Sequence, residues 1–279
     1  MTLANEHQNV VLNEATCSLA FVKRIASMLD LEPVVFNNGD ELPFGWHFFL
    51  LVGNIRKSDI RKDGFPGFGV PIPDLGLPRL VLGGRNVEFL KPIIIGESYL
   101  HKSFISSIVE KETPNGRLAI VKIQHELTSK SDSITALKEV QSYILLEANK
   151  VKSSDVKEAY QIDSLKIIKT IIPDEIQLFQ YSALGFNSHK IHLDKDYTIK
   201  VEGYPNLIVN GGLITLYVTE FLRNELNLVA SSIIVKHITP LFCDNTITLV
   251  AVNIDQFKWE IKVLDNNNQI AATVEVLVK

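Results

Sequence analysis

The stretch from Ile208 to Leu226 limits what this chain can fold into more than any other. Leu213, Ile214, Leu216, Tyr217, Val218, Phe221 and Leu222 put apolar side chains on nearly every side of a helix. Such a helix must be covered all round. The cover follows directly: Ser231 to Ile238, Asn245 to Asp255 and Lys258 to Leu264 read as strands, and a turn at Asn266-Asn267-Asn268 leads into Gln269 to Val278. A helix enclosed by a sheet that curls over it satisfies both signals. The charge-free window from Gly203 to Thr219 contains Pro205 and three glycines, so a buried helix with a loop in front fits it better than a membrane span.

The first half carries a related pattern. Ala15 to Leu31 spaces Leu19, Val22, Ile25, Ala26 and Leu29 as a helix, and Pro43 to Val52 reads as a short, almost wholly apolar helix. Gly53 to Pro78 is rich in Gly and Pro, a loop long enough to suggest function. Strands are expected at Asn86 to Leu90, Ser98 to Lys111, Arg117 to Ser129 and Ile134 to Glu147, with Asn115-Gly116 as a hairpin turn. Asn149 to Asp163 is polar and reads as a linker. Phe89-Leu90-Lys91-Pro92 and His237-Ile238-Thr239-Pro240 each precede a long strand, which suggests an internal repeat. The expectation is an α+β double hot-dog: an N-terminal domain over residues 1–150 and a C-terminal domain over 151–279.

Composition excludes several classes. With 279 residues, 46% hydrophobic and 22% charged, the chain can bury a core and is not disordered. A net charge of −4 shows no basic excess for nucleic acid or an anionic membrane. Two cysteines, Cys17 and Cys243, make neither a disulfide framework nor a zinc site, and Met1 to Val11 lacks a signal-peptide layout. A cytoplasmic location is expected.

The densest polar cluster within apolar sequence runs from Tyr181 through Asn187, His189 and His192 to Asp194. No further His or Cys ligand lies near, so no metal is expected. A glycine pair, Gly211-Gly212, opens the buried helix, and helix amino ends expose N–H groups that favour negative charge. A histidine close to such a site is a base beside an oxyanion hole.

The segments Phe186-Asn187-Ser188-His189-Lys190-Ile191-His192-Leu193-Asp194 and Gly203-Tyr204-Pro205-Asn206-Leu207 resemble the MaoC-like hydratase/dehydratase family. The resembling branch holds mesaconyl-CoA hydratase and the mitochondrial 3-hydroxyacyl-thioester dehydratase. Gly45-Trp46-His47-Phe48-Phe49, Gly83-Gly84-Arg85 and Pro92-(x3)-Gly96 are similar to that branch too. The resemblance implies a double hot-dog and reversible hydration of a 2-enoyl thioester, carried by CoA or an acyl carrier protein, without metal or redox cofactor. It assigns His192 as base and acid and the Gly211 N–H as carbonyl donor. Asn187 stands at the family's usual Asp position and would orient water, since an amide exchanges no proton at neutral pH. Asn210 stands where a His is common in relatives.

His189 is the reserve base, or an orienting or surface residue. Tyr181 and Phe186 would wall the site. Arg85 would hold a carboxylate or a CoA phosphate, or sit as an edge-strand arginine. Trp46, with Phe48 and Phe49, lines an acyl pocket or is plain core. His7, His47, His101, His125 and His237 receive no role. The basic group Arg56, Lys57, Arg61 and Lys62 reads as solvated surface more readily than as a phosphate site. The first half lacks the motif and is expected to shape the pocket. Two rival functions are a hot-dog thioesterase and a non-catalytic acyl-thioester binder. Paired hot-dogs often associate further, so a homo-oligomer is left open.

Overall fold

The computed structural model describes residues 10–67, 69–114, 116–148, 158–163 and 167–279. Strand β1 (Val11–Thr16) leads into helix α1 (Leu19–Met28), whose Val22, Ile25, Ala26 and Met28 face the core. Three 3-10 turns, Pro33–Val35, Trp46–Leu50 and Lys57–Asp59, come next, the last within the Gly/Pro loop. Long strands complete the first half: β2 (Arg79–Phe89), β3 (Ser98–Thr113), β4 (Gly116–Ser129) and β5 (Thr135–Leu146). The second half restarts with β6 (Ile168–Ile171) and α2 (Glu175–Leu184). A short helical turn α3 (Lys195–Tyr197) and the enclosed helix α4 (Gly211–Asn224) lead to β7 (Ala230–His237), β8 (Ile247–Asn253), β9 (Lys258–Leu264) and β10 (Ile270–Val278).

All strands join one antiparallel sheet in the order β1-β3-β4-β5-β2-β7-β10-β9-β8-β6. Read outward from the central β2–β7 pair, the two five-stranded halves have the same connectivity. The weak repeat in sequence is therefore a strong repeat in topology. The chain is the expected double hot-dog, with nine α4 residues buried, Leu213 through Thr219, Phe221 and Leu222. One apolar core runs through both halves, from Val22 and Trp46 to Leu178, Phe221 and Val263.

Several boundaries move for physical reasons. The helix read from Ala15 starts at Leu19, because Val11 to Thr16 pair with Ser103 to Ser98 of β3. The helix read over Pro43 to Val52 contracts to Trp46–Leu50, because a left-handed Gly45 (φ 89°) opens it and the loop follows at once. β6 and α2 go beyond the apolar periodicity, although α2 carries a readable start signal. Asp174 caps it by accepting from the Gln177 amide at 2.8 Å. Residues 149–157 of the expected linker and Asn115 of the hairpin turn lie outside the described residues. Among those described, no helix is long and apolar enough to cross a membrane.

Candidate active site

The polar cluster begins on the last turn of α2, with Tyr181 and Ser182, and leaves the helix at Phe186, whose φ is 46°. Asn187 then folds the chain back: its Oδ1 accepts from the His189 amide at 3.0 Å. This Asx turn leads into a 3-10 turn, Lys190–His192, that buries His192. The ring is held by a 2.7 Å bond from Nδ1 to the Ile208 carbonyl. A carbonyl only accepts, so Nδ1 carries the proton and Nε2 is the basic nitrogen. Burial pushes the His192 imidazole down to about 4 against the upward pull of the Ile208 carbonyl. Burial thus favours the neutral ring, with Nε2 as its acceptor.

The same segment aims α4. Ile208 N donates to Ile191 O at 2.9 Å and Val209 N to Leu241 O at 2.8 Å, which clamps the approach to the helix. Ile214 N donates to Asn210 O at 3.1 Å, so the amides of Gly211, Gly212 and Leu213 precede the helical ladder. Asn210 provides no side-chain cap; its Nδ2 donates to Ser182 Oγ and its Oδ1 is buried without a partner. The amino end of α4 thus opens on a cavity of about 310 Å³ lined by His192, His189, Asn187, Gly211 and Gly212. A Cβ on Gly212 would lie 2.0 Å from Tyr181 Oη, so only glycine permits this approach.

The Gly/Pro loop of the first half packs on the histidine turn. Lys190 N donates to Asp63 O at 2.8 Å and Ser188 Oγ to Gly64 O at 2.6 Å. The Asp63 carboxylate is buried, bonded by Arg61 and 3.7 Å from His189 Nε2. His189 packs edge-on against Phe65 and against His192 at 5.5 Å. Burial and the neighbouring His192 push His189 down to about 3, against the pull of Asp63. His189 is a buried neighbour of His192 and not a surface residue.

Arg85, Tyr181, Asn187, His189, His192, Asn210 and Gly211 all line this cavity, so seven of the nine singled-out residues come together. Two do not. Trp46 is fully buried in the core, where Nε1 donates to Glu220 Oε1 at 2.7 Å, so it lines no acyl pocket. Phe186 is 60% exposed and borders only neighbouring hollows, because its left-handed backbone turns the ring outward. Phe48 stacks on Tyr181 with ring centroids 4.5 Å apart, and Phe49 joins the core. Arg61 is drawn to Asp63 and the Pro78 carbonyl, while Arg56 pairs with Asp59 on the surface.

The structure adds residues that the motif does not signal. His237, at the end of β7, lines the cavity; its Nε2 is buried without a partner and would lie 3.0 Å from a Cβ on Gly211. Burial, aided by the charge of Arg85, pushes His237 down to about 4. Asp63 reaches the site from 126 positions before His189 in sequence, a contact no local pattern reveals. Tyr143 on β5 also lines the wall. Its signal was available: Glu139, Gln141 and Tyr143 alternate on the inward face of a strand whose other inward residues are Leu137 and Leu145.

A neutral imidazole sharing an enclosed cavity with free helix amides can move protons while a carbonyl gathers charge. On a double hot-dog scaffold this arrangement defines the class of hydratases and dehydratases that act on acyl thioesters. Comparison with known proteins narrows the class. The chain belongs to the hydroxyacyl-thioester dehydratase type 2 family, whose pattern matches residues 45–243. It is 28% identical to a mesaconyl-C(4)-CoA hydratase of Chloroflexus aurantiacus, over 92% of each chain. It is 27% identical to the mitochondrial hydroxyacyl-thioester dehydratase type 2 of Saccharomyces cerevisiae, over 61% of this chain and 62% of that one. In fold it is similar to a MaoC-like dehydratase of Phytophthora capsici, with a TM-score of 0.69, 14% identity, and coverage of 98% of this chain and 95% of the other.

Proposed function

We propose that this chain adds water reversibly across the double bond of a 2-enoyl thioester, with His192 as the single acid–base group. The reading rests above all on His192 itself, held by Ile208 with its basic nitrogen left to the cavity that the start of α4 also lines. The thioester oxygen accepts from the Gly211 amide. The Asn187 amide donates to a water molecule, and His192 Nε2 takes that water's proton as hydroxide bonds to C3. The electron pair of the double bond passes to the thioester oxygen as an enolate, where the helix amides stabilise it; loss of one such donor elsewhere costs about 3 kcal/mol in the barrier. The imidazolium then returns the proton to C2, so one water is gained and no proton is left over. Dehydration is the same path reversed. The steps call for no metal or redox cofactor.

In this reading the acid–base work belongs to the second half, with residues 1–150 shaping the pocket and 151–279 carrying the motif. CoA and an acyl carrier protein are both compatible thioester carriers. Two buried free thiols, Cys17 and Cys243, suit a reducing cytoplasm. Incubation with crotonyl-CoA and longer enoyl thioesters, read by mass spectrometry, is expected to show the gain of one water. Free CoA released without hydration would favour a thioesterase, and ligand-induced stabilisation without turnover would favour a binder.

A further inference from the structure

Two further hollows lead away from the catalytic cavity through the first half. The inner one, of about 130 Å³, shares Arg85, Tyr143 and Asn187 with the catalytic cavity and adds Gln141 of β5 and His125 of β4. The outer one, of about 310 Å³, shares Val52, Gly53 and Phe186 with the inner one and reaches the surface beside the exposed Glu14 and Asn54. Part of the inner wall is backbone from the Gly/Pro loop. A Cβ on Gly53 would lie 3.0 Å from the Gly69 Cα, so the loop closes this side without filling the space with side chains.

A pair of buried histidines links the two spaces. His101 lines the outer hollow and His125 the inner one, and His101 Nε2 is hydrogen-bonded to His125 Nδ1 at 3.0 Å. Ser103 Oγ lies 3.2 Å from the same His101 nitrogen. The other nitrogen of each ring, His101 Nδ1 and His125 Nε2, is buried without a partner, and so is Arg85 Nε. Buried polar atoms that find no protein partner are bonded by water. An apolar hollow stays dry, whereas a polar one fills where each water meets two to four partners and has about 30 Å³ of liquid volume to itself. Both conditions are met along this wall. A thioester with its carbonyl at Gly211 occupies the catalytic cavity, so the water of the reaction needs a separate face by which to come and go. Asn187, which orients that water in the hydratase reading, lines the catalytic cavity and the inner hollow alike.

Resting on that reading, we propose that the two hollows form a water passage through the first half, from Glu14 and Asn54 past the His101–His125 pair to Asn187. Water exchanges through it while the acyl thioester stays bound. The test starts from 3-hydroxybutyryl-CoA with isotopically heavy oxygen in its hydroxyl, in ordinary water. An added enoyl-CoA reductase with its nicotinamide cofactor removes any crotonyl-CoA that leaves the enzyme, so rehydration is confined to one binding episode. Mass spectrometry then reads the label in the remaining 3-hydroxybutyryl-CoA. With the wild type the label is expected to wash out, because water freed by elimination is replaced before the bound enoyl thioester is hydrated again. Val52→Phe plugs the junction of the hollows, and the double variant His101→Leu/His125→Leu makes their walls apolar. Both are expected to keep the label while cofactor consumption shows that dehydration continues. A crystal structure with saturated butyryl-CoA gives a reading apart from chemistry, with water expected at hydrogen-bond distance from His125 Nε2 and Arg85 Nε in the wild type. Turnover with the label retained by the wild type, or lost equally from both variants, would overturn the passage and leave the hydratase reading standing. Water in the hollow without any turnover would keep the water site and overturn the hydratase reading; a dry hollow without turnover would overturn both.

Discussion

The two halves of the sheet share a connectivity and differ in what they enclose. In the second half, α4 extends for fourteen residues and its amino end opens on the histidine turn. At the matching place in the first half the helix is a five-residue turn, Trp46–Leu50, and the chain then runs into the Gly/Pro loop. The difference is visible at the glycine that opens each element. A Cβ on Gly45 would lie 2.2 Å from Thr219 Oγ1, in the core contact between the turn and α4. A Cβ on Gly212 would instead lie 2.0 Å from Tyr181 Oη, in the cavity wall. One glycine serves packing and the other serves access. The repeat has kept its sheet in both copies and specialised its helix in one, while the shortened copy sends a loop across to the other's site through Asp63 and Gly64.

The broadest test of this contrast is pH. Five histidines are depressed: the buried His101 to about 3 and His125 to about 4 in the first half, and in the second the buried His189 to about 3 and His192 to about 4 and the half-buried His237 to about 4. An unfolded imidazole titrates near 6.5, so between that value and the folded values the unfolded chain binds more protons. Stability is full above pH 6.5, falls as pH drops toward 4, and levels off below the folded values, with a slope of about 1.4 kcal/mol per pH unit for each extra proton. Melting temperatures from pH 8 to pH 4 will show this. A melting temperature that stays flat from pH 7 to pH 5 would mean that these rings are not buried and neutral.

Smaller effects separate the halves. Gly212→Ala is expected to lower kcat/KM by about 100-fold, the scale for a displaced oxyanion donor, with partial recovery in G212A/Y181F, where the obstructing hydroxyl is gone. Gly45→Ala is expected to cost about 1–3 kcal/mol of stability, from a left-handed backbone without glycine and a crowded Thr219, and to leave kcat/KM unchanged. Denaturant unfolding together with steady-state kinetics on both variants decides the matter: a G45A protein of normal stability with lost activity would reverse the assignment. Asp63→Asn removes a negative charge 3.7 Å from His189 and is expected to reduce kcat/KM by about 10-fold while leaving the fold in place. An unchanged pH–rate profile in D63N would show that the loop only covers the turn.

Much of this was legible in the sequence where the signals are local. Period and apolarity marked α4 and the long strands, and the Gly211-Gly212 pair marked the helix start. His192 and Asn187 stood out through their motif, and both line the cavity that Gly211 also lines. The losses have physical causes. β1 and β6 are short edge strands whose pairing is set by distant partners on β3 and β8. Trp46 had the composition of a pocket residue but is committed to the core by its bond to Glu220. His237 and Asp63 draw their meaning from neighbours far off in the chain, which one sequence does not place.

The central claim is that one imidazole of the second half carries the proton chemistry. The most direct measurement is the decay of enoyl-thioester absorbance with wild-type protein and with His192→Ala, at matched concentration and after both are shown to melt cooperatively. The account predicts steady loss of the chromophore with the wild type and a rate about 10²- to 10⁴-fold lower with the variant, the usual contribution of a positioned general base. A variant that consumes the enoyl thioester at the wild-type rate would contradict it.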